Sequence, residues 1–174
     1  MKRFFLEWYG LFNVPEIVEK LKLNVQRLKR DHPHLAEAFF QYGLYMFVDI
    51  VSFQPIYIGQ AASRHKSLRT RIRWELVGPS YFAHRLKEEG IDQNSLAFQV
   101  AHVKKALDNN KPFTPSLGMI EFPLICKMQP ALNKTGKKKH RKEDVDIVNS
   151  GNIGIIPERF TLRRGQKCQQ ASPF

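Results

Sequence analysis

Only two cysteines, Cys126 and Cys168, occur in 174 residues, and their spacing suits no metal-binding pattern. Neither a disulfide framework nor a zinc knuckle is expected. No apolar signal segment opens the sequence, so a reducing cytoplasm is the expected compartment. The longest apolar run, Gly43 to Phe53, is broken by Asp49 and is too short to span a bilayer. No internal repeat is present. Acidic residues are also scarce: 16 Asp and Glu stand against 28 Lys and Arg, a net charge of +12. That excess favours a polyanionic partner, nucleic acid first and an anionic membrane surface second. The basic helices lack a strong aromatic insertion face, which sets the membrane aside.

An apolar share of 43% over this length suits one domain with a proper core and a small extension at each end. Residues 1–40 read as a helical extension, because Pro15 suits a first helical turn and Ile17, Leu21, Val25 and Leu28 recur at helical spacing. Gly43 to Val51 and Pro55 to Gly59 read as paired strands around a Ser52-Phe53-Gln54 turn. Alternation puts Leu44, Met46, Val48 and Ile50 on one face, with Ile56 and Ile58 expected beside them and Tyr45 and Tyr57 opposite. A basic helix follows from Ser67, with Leu68, Ile72 and Leu76 as its stripe, and another covers Tyr81 to Glu89. Leu96 to Val103 forms a third strand, leading to a short helix ending at Leu107. A helix from Thr114 to Met128 is weakened by Gly118 and Pro123. Residues 136–174 read as a basic, flexible tail, since like charges crowd Lys134 to Lys142.

One pattern is more specific than charge. Gly43-Leu44-Tyr45, an eleven-residue gap, and Tyr57-Ile58-Gly59 resemble the paired tripeptides of the GIY-YIG nuclease superfamily. Arg71 just before Ile72 resembles the family's catalytic arginine, Glu121 its metal-binding glutamate, and Gln129-Pro130-Ala131-Leu132-Asn133 its terminal motif. The resemblance covers Gly43 to Asn133. It implies an α+β nuclease domain over residues 41–135, with a three-stranded antiparallel sheet flanked by helices. It also implies hydrolysis of phosphodiesters in double-stranded DNA with one Mg²⁺ or Mn²⁺ ion per active site.

Phosphodiester cleavage needs a positioned water and neutralisation of the phosphorane. By resemblance, Tyr45 orients or deprotonates the water and Tyr57 bonds to the nucleophile or phosphate. A phenol of pKa about 10 needs a nearby cation to act as a base at neutral pH, and arginines of the adjacent helix are the expected source. Arg71 binds a phosphate oxygen with fork geometry. Glu121 holds the ion, since Mg²⁺ takes only one or two carboxylates and keeps several waters. Asn133 closes the site or caps a helix end. Arg69, Arg73, Lys66, Lys134, Lys137, Lys138 and Lys139 are the expected DNA contacts, and Gly43 and Gly59 the structural glycines.

Two positions depart from the family pattern. Glu75 stands where relatives often carry His or Tyr, so Arg71 and Glu75 read equally as a surface pair one turn apart. That departure leaves open whether His65 or His84 takes an auxiliary role, while Gln60 replaces a frequent lysine, whose part Lys66 or an arginine would have to take. Small size and the lack of zinc fingers make the chain look most like type II restriction endonucleases, bacterial or phage-encoded, for which a homodimer matches a palindromic site. A nicking nuclease of homing, phage or mobile-element type is the alternative within the class. A nucleic-acid-binding protein with a degenerate site is the alternative outside it.

Overall fold

The structure is a computed structural model that describes residues 1–62, 67–137, 140, 143–152 and 154–168. The chain opens on a strand, β1 (Lys2–Asn13), and three short helices follow: α1 (Val14–Lys22), α2 (Val25–Asp31) and α3 (Pro33–Phe39). Next come the hairpin β2 (Gly43–Asp49) and β3 (Pro55–Ala61), then α4 (Leu68–Val77) and α5 (Tyr81–Glu88). The long strand β4 (Leu96–Asp108) leads through β5 (Lys111–Pro112) to α6 (Gly118–Met128), and β6 (Val145–Gly151) and β7 (Arg159–Leu162) complete the described elements.

All seven strands join one sheet in the order β3-β2-β4-β1-β6-β7, with β5 on the end of β4. The β1–β6 pair is parallel and the rest are antiparallel. This mixed sheet replaces the expected three-stranded antiparallel sheet with a helical leading extension and a free tail. β3, β2 and β4 do form an antiparallel group, but β1, β6 and β7 extend it. Residues 2–13 are extended because Phe4, Leu6 and Trp8 alternate and bury on one face; the helical periodicity belongs to the segment from Pro15 onward. β4 likewise runs on to Asp108 where a short helix is expected, because its far half pairs with Lys2 to Leu6. α6 starts at Gly118, four residues later than the Thr114 signal suggests, and carries Pro123 in its interior.

The charged tail docks through an ionic clasp. Asp146 is buried, accepts from Arg3 Nε at 2.7 Å, and is gripped by Arg159 through Nε at 2.9 Å and Nη2 at 2.7 Å. The Arg159 hydrogen bonds, helped by Arg3, hold its carboxyl below the usual range against the opposing effect of burial. Two arginines thus satisfy a charge that burial alone would penalise.

Two apolar clusters form, one on each face of the sheet. Tyr45, Phe47, Phe98 and Val100 pack with the helices α1 to α5. Leu44, Met46, Val48 and Ile58 pack with α6 and with Phe4, Leu6 and Trp8. Ile56 joins the Tyr45 cluster rather than accompanying Ile58, because a register shift beside Phe47 sets Pro55 opposite Val48 and interrupts the simple alternation.

Contrary to expectation, Cys126 and Cys168 form a disulfide, with Cα atoms 4.9 Å apart. The antiparallel return of β7 brings the tail back onto α6, a proximity that linear spacing does not reveal. No helix among the described residues is long and apolar enough to cross a membrane.

The bridge closes a loop of 42 residues in sequence separation. Restriction of the unfolded chain predicts that Cys168→Ser lowers stability by about 2–4 kcal/mol. Urea unfolding monitored by circular dichroism checks this; midpoints that coincide for the variant and the oxidised protein would rule it out.

Candidate active site

β3 lies at one edge of the sheet, and the turn after α6 seals part of it. Ala131 N donates to Pro55 O at 3.0 Å and Leu132 N to Ile56 O at 2.8 Å. The Asn133 side chain then substitutes for a peptide unit: Oδ1 accepts from Ile58 N and Nδ2 donates to Ile58 O, both at 2.8 Å. Both ends of its amide therefore bind the β3 backbone, which protects the edge and fixes where α6 stands against it.

On the other side of β3, Tyr45 of β2 faces Gly59 in register. A Cβ on Gly59 would lie 2.3 Å from Tyr45 Oη, so the phenol passes directly over the glycine. Gly43 meets a similar limit, since its Cβ would come 2.2 Å from Ala101 O. Tyr57 sits on the same face as Tyr45, with ring centroids 6.2 Å apart.

α4 delivers the charged groups. Ser67 caps its first turn by accepting from Thr70 N, and Leu68, Ile72 and Leu76 anchor its inner face. Arg71 and Glu75 are one turn apart on that side. Tyr45 Oη donates to Glu75 Oε1 at 2.8 Å, while Arg71 Nε donates to Tyr45 Oη at 3.1 Å. Arg71 Nη2 stands 2.7 Å from the same Glu75 oxygen. This is no surface ion pair: Glu75 is 2% exposed and Tyr45 0%.

The electrostatics differ from the expected activated phenol. Burial raises Tyr45 well above the usual tyrosine range and the Glu75 charge adds to it; Arg71 pulls downward but is outweighed. Burial, then Glu75, likewise pushes Tyr57 up to about 12. Both groups are neutral phenols at pH 7, suited to donate hydrogen bonds. Burial works against the Arg71 charge, yet the phenols and Glu75 keep its pKa above the ordinary value.

Glu121 of α6 approaches β3 from the second face. Gln60 Nε2 donates to its Oε2 at 2.9 Å, and no described residue donates to Oε1. Burial pushes its carboxyl up to about 7, with Arg71 pulling the other way. Glu121 in turn adds to the rise at Tyr57, so the acid, Tyr57 and Arg71 share one electrostatic environment around the edge strand. No group of three or more His, Cys, Asp or Glu side chains is placed to hold a metal among the described residues. A lone, partly desolvated carboxylate still fits Mg²⁺ or Mn²⁺, since such an ion keeps most of its waters and relieves the buried charge.

The expected DNA contacts are scattered. Arg69 Nη2 donates to Leu21 O at 3.0 Å and also to Leu23 O, which makes it a cap for the end of α1. Arg73 is exposed. Lys134 Nζ lies 4.9 Å from the Tyr81 ring centroid, and Lys137 Nζ donates to Ala131 O at 3.0 Å. Lys66, Lys138, Lys139 and His65 fall outside the described residues. His84 is exposed on α5 and pairs with Glu88 at 3.0 Å. The pairing of Arg71 with Glu75 was legible from their one-turn spacing, whereas its burial, the Tyr45 contact with Glu75 and the Gln60 contact with Glu121 were not. Position 75 follows Leu68 and Ile72 along the apolar stripe, and that spacing was the available signal.

No family model, curated protein or solved structure matches the chain.

Glu121 provides a pH test. A carboxyl raised to about 7 from its ordinary 4.5 contributes stability that is fully present below the unfolded value and lost as pH rises through 7. Without divalent ions, Glu121→Gln should gain stability relative to wild type between pH 5 and pH 8. Urea midpoints at the two pH values check this, and a constant difference between them would refute it.

Proposed function

We propose that the protein is a metal-dependent DNA endonuclease of the GIY-YIG type. The observation that carries this reading is the convergence of Tyr45, Tyr57, Arg71 and Glu121, from four separate elements, around one edge strand. The paired tripeptides and the terminal motif support it, as does the net charge of +12. In the reaction a water oxygen attacks phosphorus, the P–O3′ bond breaks and the departing O3′ takes up a proton; by family resemblance the products carry 5′-phosphate and 3′-hydroxyl ends.

The chain's own groups divide the work. Arg71 places a permanent positive charge beside the phosphate, and its fork is held in orientation by Glu75 and Tyr45. Tyr57, partly exposed and neutral, donates a hydrogen bond to the water or to a non-bridging oxygen. Tyr45 is enclosed, so it positions Arg71 instead of meeting the water. Glu121, with Gln60 orienting its carboxylate, would hold one Mg²⁺ or Mn²⁺ ion. When bound, that ion supplies Lewis-acid stabilisation of phosphate charge. Double-stranded DNA is the proposed substrate. Site-specific cleavage by a homodimer, as in a type II restriction enzyme, is the finer form of the proposal.

Plasmid DNA incubated with Mg²⁺ should give discrete fragments, and EDTA or Glu121→Ala should abolish them. Arg71→Lys should slow cleavage by about 10²–10³-fold, since a point charge replaces an oriented fork. Nicked circles alone would move the reading to a mobile-element type of nuclease. Uncut but retarded plasmid with every divalent ion would leave a nucleic-acid-binding protein.

A further inference from the structure

β4 is longer than its neighbour β2. Their last pairing on this side is Leu44 with Ala101, and the next cross-strand pairing is Leu107 with Pro112 in β5. No described strand pairs with the intervening stretch on that side, and a cleft of about 1130 Å³ opens there. Phe40, Tyr42, Gln60, His102, Lys105 and Phe113 are among its lining residues. Tyr42 is 48% exposed, and its carbonyl lies 3.0 Å from His102 Nδ1. Burial lowers the His102 pKa, so the ring is neutral at pH 7 and Nδ1–H serves as donor to that carbonyl. The position of Tyr42 is thereby set by a buried side chain.

Gln60 belongs both to this cleft and to the site, because its amide holds Glu121 at 2.9 Å. A strand whose phosphate reaches Glu121 therefore has its neighbouring nucleotide at the cleft mouth. The lining chemistry suits a nucleobase. The exposed Tyr42 ring matches a flat π-face of any base identity, and the exposed Lys105 suits the attached phosphate. A base still stacked in a duplex presents only its edge and cannot lay its face on Tyr42.

Resting on the nuclease reading above, we infer that this cleft receives an unpaired nucleotide adjoining the scissile phosphate. The preferred substrate is then DNA with a bulged, frayed or extruded base at the cleavage position. Tyr42, the exposed aromatic of the lining, serves as its stacking platform.

The test uses full-length Glu121→Gln protein without metal, which separates binding from cleavage. Fluorescence anisotropy compares a matched duplex, the same duplex with one bulged nucleotide, and the bulge carrying an abasic site. The bulged duplex should bind more tightly than the other two. Tyr42→Ala should reduce that discrimination about tenfold, as expected for losing one base–aromatic stack, and Tyr42→Phe should restore it. Hydrogen exchange over His102–Ala106 should slow with the bulged duplex and not with the abasic one. Equal affinity for all three DNAs, or discrimination that survives Tyr42→Ala, would overturn the inference. Failure of the nuclease reading is read separately: wild type that never cuts plasmid while Tyr42-dependent discrimination persists leaves the cleft as a binding site without chemistry.

Discussion

A carboxylate removed from water has to be met by charge or hydrogen bonds, and at Glu75 both come from groups that the proposed reaction uses. Its Oε1 accepts from Tyr45 and pairs with Arg71, so one buried atom sets the distance between β2 and α4. Gly59 must lack a side chain for Tyr45 to reach it, and Asn133 must bind β3 for Glu121 to arrive from the second face. Each of these contacts restricts the next. Loss of the Glu75 carboxylate would release Arg71 and leave the Tyr45 hydroxyl buried without its acceptor, which is more costly than losing an exposed pair.

The residues of the candidate site were legible through a resemblance in motif order: two tyrosines, an arginine and a glutamate spread over hairpin and helices. Their protonation behaviour was not. A cation beside a phenol suggested activation, but burial and the Glu75 charge dominate at Tyr45. Sequence gives the neighbours and not the depth at which they sit. The same limit explains Arg69, which heads the basic helix in composition yet turns back to cap α1.

The fold was legible where partners are close in sequence. The β2–β3 hairpin, the start of α4 and the end of α5 follow from local patterns and caps. β1, β6 and β7 escaped because what holds them extended lies far away in the chain: Phe4 pairs with Ala106 on one side and Ile147 on the other. A run of like charges before β6 suggested repulsion, while the Asp146 clasp that neutralises two arginines was hidden in the linear order.

The place of β1 in the middle of the sheet has a consequence for biosynthesis. β1 is flanked by β4 and β6, and β6 leaves the ribosome more than 130 residues after it. Until β6 is translated, the outer edge of β1 offers unpaired amides and carbonyls to any passing strand. A nascent chain stalled after α6 would hold the proposed catalytic residues in sequence yet expose the very edge on which aggregation starts. Pairing of β6 with β1 therefore closes that edge.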